Sequence, residues 1–285
     1  MPELPEVQTV VDGLRDHGLI GRRIMDVEVR CSAIVAEPSL PAFRRWIRRK
    51  RIQGVSRRGK YIVIALSGNA ALLIHLRMTG RFRVIGERPG FDRHNHVILR
   101  LDDGRFLVYH DTRKFGRWIL TRDSAAVLGH LGPEPLAPDF SLKLFLSMLK
   151  SHRRMLKPLL LDQHFLAGLG NIYVDEALWV ARLHPRLCAA TLTEREIRRL
   201  YFAIRRVLTR SLRAGGTSLG DGDGNFSGVS GRRGRNQLAL RVFGRSGKQC
   251  LRCSARIVKL TVAQRGTYIC PRCQRLQEDE SRFCV

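Results

Sequence analysis

Two sets of residues in this sequence have types and spacings that support chemistry. One is Cys250-x-x-Cys253, then sixteen residues, then Cys270-x-x-Cys273. Four thiolates on two short knuckles close a tetrahedron around zinc, so one structural Zn2+ is expected, held by Cys250, Cys253, Cys270 and Cys273. A site with four cysteine ligands keeps no open position, and its metal holds a fold without performing a reaction. The other set is Met1-Pro2-Glu3. A small second residue permits removal of the initiator methionine, which exposes a secondary amine on Pro2 beside a carboxylate. Such an amine attacks a carbonyl-like carbon, C1′ of a sugar for example, and forms an iminium while Glu3 moves protons. A proline at position 2 most often has no such role. No Ser-His-Asp signature and no phosphate-binding loop offers another catalyst. Gly168-Leu169-Gly170-Asn171 either lets backbone amides and the Asn171 side chain approach a phosphate or makes a tight turn between helices.

These groups must be positioned by the elements around them. From Pro5, the residues Val7, Val10, Val11 and Leu14 fall on one helical face that Gly18 closes. Residues 23 to 120 read mostly as strands: 23–30, 61–66, 71–76, 97–101 and 106–109, the last two joined by Asp103-Gly104 in a tight hairpin. An antiparallel sheet or sandwich is expected there. Pro133, Pro135 and Pro138 interrupt regular structure and mark a domain boundary. Beyond them Leu142, Phe145, Leu146 and Leu149 share a helical face. A second face runs from Ile197 to Leu208, after a Thr193-x-x-Glu196 capping box and before Gly215-Gly216. The division expected is 1–130, a linker at 131–138, a helical domain at 139–235, a zinc module at 236–275 and a tail at 276–285. Six glycines between residues 220 and 234 predict a mobile loop.

The 285 residues carry 51 Lys and Arg against 25 Asp and Glu, a net charge of +26, with 44% apolar and only 27% charged residues. That is a folded polycation rather than a disordered basic tail, and a polyanion is its natural partner. The charge is also grouped. Residues 224–277 hold twelve Lys or Arg and no acid, as do residues 38–86. Two basic stretches in different domains fit a groove that clamps a nucleic-acid duplex. The seven cysteines are an odd number, and metal-site spacing suits a reducing, cytoplasmic or nucleoid location better than a disulfide framework. Cys31, Cys188 and Cys284 are expected to be ordinary packed or exposed thiols. Acids at Glu3 and Glu6 argue against a signal peptide, and the longest apolar run, residues 61–66, is far short of the roughly 20 residues a membrane span needs. A soluble protein without a membrane partner is expected.

The opening Pro2-Glu3-Leu4-Pro5-Glu6-Val7 resembles that of the formamidopyrimidine-DNA glycosylase family. So do Arg58-Gly59-Lys60-Tyr61, His75-Leu76-Arg77-Met78-Thr79-Gly80, Asp111-Thr112-Arg113-Lys114-Phe115-Gly116, residues 168–176, and Gln264-Arg265-Gly266-Thr267 leading into Cys270-Pro271-Arg272-Cys273-Gln274. The resemblance implies an α+β protein: an N-terminal antiparallel β-sandwich flanked by helices, then a helix-two-turn-helix domain with a β-hairpin zinc finger. It implies a monomer acting in base-excision repair on double-stranded DNA that contains a damaged base or an abasic site. Oxidised purines (8-oxoguanine, formamidopyrimidines) would be released through a Pro2 Schiff base, followed by β,δ-elimination as an apurinic/apyrimidinic lyase. Glu3 would donate the proton for base release, while Lys60 and Arg265 would contact flanking phosphates and assist elimination. Met78, Arg113 and Phe115 would fill the hole left by the extruded nucleotide. Asn171, with His94, His152 and Arg153, would contact the backbone. Gln8 and Asn95 stand where the family commonly has acids, and loop 220–234 lacks its usual wording. A preference for oxidised pyrimidines, and a catalytically silent zinc-containing DNA-binding protein, are the alternatives; the first usually opens Pro-Glu-Gly, whereas Leu4 stands here.

Overall fold

The structure, a computed structural model, describes residues 1–220, 225–275 and Arg282. It divides into two compact units, Met1–His130 with Ser211–Gln237, and Leu131–Arg210 with Leu238–Val285.

The first unit opens with helix α1 (Leu4–Asp16). Proline begins it, Glu3 and Glu6 cap it reciprocally, and Val7, Val10, Val11 and Leu14 are buried. The left-handed Gly18 follows its end. Strands β1 (Ile24–Val29) and β2 (Val35–Glu37), helix α2 (Leu40–Ile47), and strands β3 (Ile52–Arg58), β4 (Tyr61–Leu66), β5 (Ala70–His75), β6 (Arg81–Ile85), β7 (Asn95–Leu101), β8 (Phe106–His110) and β9 (Arg117–Thr121) come next, and helix α3 (Ser124–Leu128) ends the run. They form two sheets, ordered β1-β7-β8-β6 and β2-β9-β5-β4-β3, antiparallel except where β2 pairs with β9. Between the sheets Trp118 of β9 meets Phe82 of β6 and Tyr109 of β8, with ring centroids 5.7 and 5.3 Å apart. Such contacts are the interdigitation that makes a sandwich core. α1 packs on β3 and β4.

Residues 211–237 cluster with this unit, whereas the division expected from sequence places 211–235 in the helical domain and 236–237 in the zinc module. Of the glycine-rich stretch, 221–224 lie outside the described residues. In the remainder Val229 is buried in the sandwich core and Phe226 packs beside it. A Cβ on Gly13 would meet Val229 at 3.0 Å, so glycine in α1 is what lets the segment lie this close. Two apolar side chains therefore anchor a stretch whose composition reads as loop.

The second unit contains α4 (Leu142–Lys150), α5 (Leu156–Leu161), α6 (Asn171–Ala181) and most of α7 (Glu194–Arg213). The Thr193 capping box is present: Thr193 N–H donates to Glu196 at 2.9 Å and Glu196 N–H to the Thr193 hydroxyl at 3.3 Å. Phe140, Phe145, Leu149, Leu159, Ile197 and Leu200 are among its buried residues. Strands β10 (Val258–Val262) and β11 (Arg265–Ile269) pair as a hairpin around Ala263 and Gln264, both at positive φ. Among the described residues no helix is long and apolar enough to cross a membrane. Of the tail only Arg282 is described; its guanidinium donates to Glu196 at 2.7 Å. Cys31 is half-buried and Cys188 buried, both as free thiols, and Cys284 lies outside the described residues.

Candidate active site

In the first unit the chain start is drawn into the protein. Pro2 and Glu3 are buried at the head of α1, and Lys60, at the turn between β3 and β4, is only 6% exposed. The α-amino group at Met1 is largely enclosed. Burial holds its pKa below the ordinary value; Glu3 and Glu6 oppose that shift, and the charges of Lys60 and Arg113 reinforce it. Pro2, Glu3, Lys60 and Arg113 thus share one electrostatic neighbourhood. With Met1 removed, the Pro2 nitrogen would be a secondary amine with a carboxyl group at hand. Glu6 is already engaged, accepting from the Glu3 N–H at 2.8 Å and from the Thr217 N–H at 2.8 Å. His75, at the end of β5, accepts from the Arg77 N–H at 3.0 Å through Nδ1 and packs edge-on against Tyr61. Burial, with help from Arg77 and Lys60, lowers its pKa to about 3, so it is a neutral acceptor here.

Met78 and Phe115 are partly exposed on two loops, at 38% and 49%. The Arg113 guanidinium lies 4.6 Å from the centre of the Phe115 ring. One buried carboxylate joins the loops. Asp111 accepts from the Thr79 hydroxyl, from the Arg113 N–H at 3.1 Å and from the Gly116 N–H at 2.8 Å. Thr79 in turn accepts from the Arg113 N–H at 3.2 Å. Gly80 and Gly116 crowd the Tyr109 hydroxyl so closely that neither position has room for a Cβ.

The second unit holds Arg265 and Asn171. Arg265 opens β11 just after the hairpin turn, and Asn171 starts α6. Asn171 Nδ2 donates to the Gly266 carbonyl at 2.8 Å, while its Oδ1 is buried and unbonded. The fully buried Lys157 of α5 donates to Asp175 of α6 at 2.6 Å, to the Thr267 hydroxyl at 2.9 Å and to the Gly266 carbonyl at 3.2 Å. Asp175 also accepts from the Tyr268 N–H at 2.9 Å. A buried ion pair thus fixes the strand that carries Arg265. His152 meets the Met148 carbonyl at 2.7 Å through Nδ1, and Arg153 is exposed in the same turn. In the first unit, the His94 ring faces His110 at 5.5 Å and its Nδ1 is buried and unbonded.

The cysteines meet the geometric demand of a tetrahedral metal. All four sulfurs lie within 4.8 Å of one another, with Cys250–Cys273 at 3.9 Å, Cys253–Cys270 at 3.3 Å and Cys253–Cys273 at 3.4 Å. Four sulfurs at about 2.3 Å from zinc would stand about 3.8 Å apart. Burial and the neighbouring Cys253 and Cys270 push Cys273 up to about 12, because a cluster of thiols ionises against itself unless a cation sits among them. Cys250, Cys253, Cys270 and Cys273 form the ligand set of one structural zinc ion.

Residues that sequence reasoning did not single out hold this machinery in place: Glu6, Thr217, Thr79 and Asp111 in one unit, Lys157 and Asp175 in the other. Glu6 was legible as the second half of a capping box with Glu3. Lys157, inside Leu156–Leu161, and Asp175, inside an otherwise apolar α6, were legible as charges where a buried face was expected. Asn95 and Gln8, read as lost acids, are both bonded: Asn95 accepts from Arg83 at 3.4 Å and Gln8 from Arg57 at 3.1 Å.

Sandwich, helix-two-turn-helix domain and cysteine-ligated hairpin together define a zinc-finger protein of the DNA-repair glycosylase class. Residues 1–118 match the formamidopyrimidine-DNA glycosylase N-terminal domain, 131–222 its H2TH domain, and 247–276 the zinc finger found in FPG and IleRS. The formamidopyrimidine-DNA glycosylase of Protochlamydia amoebophila is 45% identical over 275 residues, covering 96% of this chain and all of that one. That of Herpetosiphon aurantiacus is 45% identical over 277 residues, with the same coverage. Among solved structures, the Lactococcus lactis Fpg in complex with DNA containing an abasic site superposes with a TM-score of 0.88 at 37% identity, covering 96% of this chain and all of that one. Its complex with Fapy-dG containing DNA gives 0.87 at the same identity and coverage. The chain belongs to the formamidopyrimidine-DNA glycosylase family.

Proposed function

We propose that this protein excises oxidised purines, 8-oxoguanine and formamidopyrimidines, from duplex DNA and then cuts the abasic strand as a lyase. The observation that carries the reading is Pro2 buried at the head of α1, next to the buried Glu3 and in a chain start that also feels the charges of the buried Lys60 and of Arg113. With Met1 removed, the Pro2 nitrogen attacks C1′ of the damaged nucleotide. The glycosidic bond breaks as Glu3 protonates the departing base or the opening sugar, and an iminium remains. Loss of a proton from C2′ then expels the 3′ phosphate, and a second elimination expels the 5′ phosphate. Lys60 and Arg265 hold those phosphates. Met78, Arg113 and Phe115 occupy the space of the extruded nucleotide, and His94, His152, Arg153 and Asn171 bind backbone. The zinc ion, held by its four cysteines, supplies rigidity to the hairpin that bears Arg265 and takes no part in the reaction. The protein works as a monomer in the cytoplasm, on nucleoid DNA.

Borohydride trapping on a duplex with an abasic site tests this reading. The full-length, zinc-bearing protein should give a covalent protein–DNA adduct, and the Pro2→Gly, Glu3→Gln double variant should give at most a small fraction of it. Absence of the native adduct, an equal adduct in the variant, or Met1 retained in the mass of active protein overturns the proposal.

A further inference from the structure

The second unit contains a cavity of about 300 Å3 that the reaction above does not use, lined by residues of three chain segments: Trp179 and Val180 of α6, Arg206, Val207 and Arg210 of α7, and Arg241, Leu251 and Arg252 from the approach to the zinc knuckle. Four arginines line it, and among the described residues no lining residue is acidic. Behind it the fully buried Glu176 accepts from the backbone N–H groups of Arg241, Val242 and Phe243 at 2.8 to 3.0 Å and forms an ion pair with Arg210 at 3.6 Å, one carboxylate against four lining arginines. Arg210 Nε and Nη2 are buried with no hydrogen-bond partner. Unsatisfied guanidinium donors are costly, and planar forks of this kind match phosphate oxygens.

A simpler account is that cations gather here to neutralise the C-terminal end of α6. That duty is already filled. Arg252 donates to the Trp179 carbonyl at 2.9 Å and lies over its ring at 3.9 Å, and Arg199 donates to the Ala181 carbonyl at 3.2 Å. Arg206, Arg210 and Arg241 are surplus to it. Asn171, the residue expected to meet the DNA backbone, stands at the other end of α6, about 12 Å along the helix axis from Trp179. The cavity is therefore separate from that contact.

We infer that this arginine cavity is a second binding site, for a phosphate-bearing anion. The ligand's phosphate comes either from a free phosphate compound or from a nucleic-acid backbone. The inference does not rest on the glycosylase reading, and a protein that failed to form a Schiff base would still carry the site.

The test titrates inorganic pyrophosphate into the full-length, zinc-bearing protein by calorimetry at constant ionic strength. Native protein should bind one pyrophosphate, and Arg206→Gln and Arg241→Gln, each alone, should weaken it at least tenfold while zinc content and duplex excision stay unchanged. Arg45→Gln with Arg122→Gln, on the surface of the first unit, should leave pyrophosphate binding as it was, which separates a built site from the general attraction of a polycation. Repeating the titration with saturating short duplex distinguishes the sources: unchanged binding points to a free compound, and displacement points to a backbone phosphate. No saturable binding to native protein, or equal binding in both cavity variants, overturns the inference.

Discussion

Glu3 and Glu6 are three residues apart and carry the same side chain, yet the start of α1 gives them different duties. Glu6 points back, and two backbone N–H groups, those of Glu3 and Thr217, fill its carboxylate. Glu3 accepts from the Glu6 N–H in the same reciprocal cap and stands beside the chain terminus. Asp111 is the corresponding fixture for the loops that carry Met78, Arg113 and Phe115, and every donor around it needs an acceptor. Asp111→Asn replaces one acceptor oxygen with an NH2 group, so at least one buried donor faces another. We expect a loss of about 1–3 kcal/mol in stability. A larger fall in excision than in abasic-site cleavage should accompany it, since an abasic site has no base to extrude. Urea unfolding and the two rates measured side by side check this, and equal stability would show that Asp111 is not the tie described.

At the scale of elements, the strand bearing Arg265 is set by α5 and α6 through Lys157 and Asp175. Both side chains are fully buried, and burial raises Asp175 to about 6 even with Lys157 alongside. Removing one partner strands the other charge. Lys157→Met should therefore cost about 3–5 kcal/mol. Lys157→Met with Asp175→Asn, which keeps an acceptor for the Tyr268 N–H, should be more stable than Lys157→Met alone by at least about 1 kcal/mol. Denaturant unfolding of the four proteins of that cycle decides it; simple additivity would mean that the pair is not coupled. These ties also show what the sequence could reveal. α1 was legible because proline at its start, Gly18 at its end and four valines and leucines at helical spacing agree, and the zinc set because cysteine spacing alone nearly determines the ligands. β3, β6 and β9 were not: β3 contains Gly54 and ends in two arginines, and β6 and β9 are five residues long and open on arginine, which leaves few positions from which to establish a strand period. Asp111 was quoted within a motif without a duty, because its partners Thr79 and Gly116 arrive from loops whose approach only the fold specifies.

For the whole molecule, a charge of +26 makes acid a threefold stress: self-repulsion grows, carboxylates lose their charge, and buried histidines must either stay neutral or unfold the chain. The histidine effect has its own window. Burial and Arg77 hold His75 down to about 3, burial and Arg81 hold His110 to about 4, and burial and Arg186 hold His184 to about 4. Each has a folded pKa below its unfolded value near 6.5. Between pH 6.5 and about 4 the unfolded chain binds protons that the folded chain refuses, so stability falls as pH falls, by up to about 1.4 kcal/mol per pH unit for each such histidine. The lowered carboxylates, such as Glu28 beside Arg30 and Asp103 beside Arg105, act in the same direction but only below about pH 4. Asp175, raised to about 6, acts the other way and offsets one histidine, so a net loss of stability should begin near pH 6.5, well above the range of the lowered carboxylates. His75→Asn, which retains an acceptor for the Arg77 N–H, should flatten the slope between pH 6.5 and 5 by up to about 1.4 kcal/mol per unit. Added salt separates the two remaining causes, since it screens repulsion among surface charges but does not hydrate an imidazole packed against Tyr61. Denaturant unfolding at pH 7.5, 6.5 and 5, at low and high salt, checks the assignment: a slope that salt abolishes, or one that His75→Asn leaves intact, would move the cause from the buried rings to the net charge.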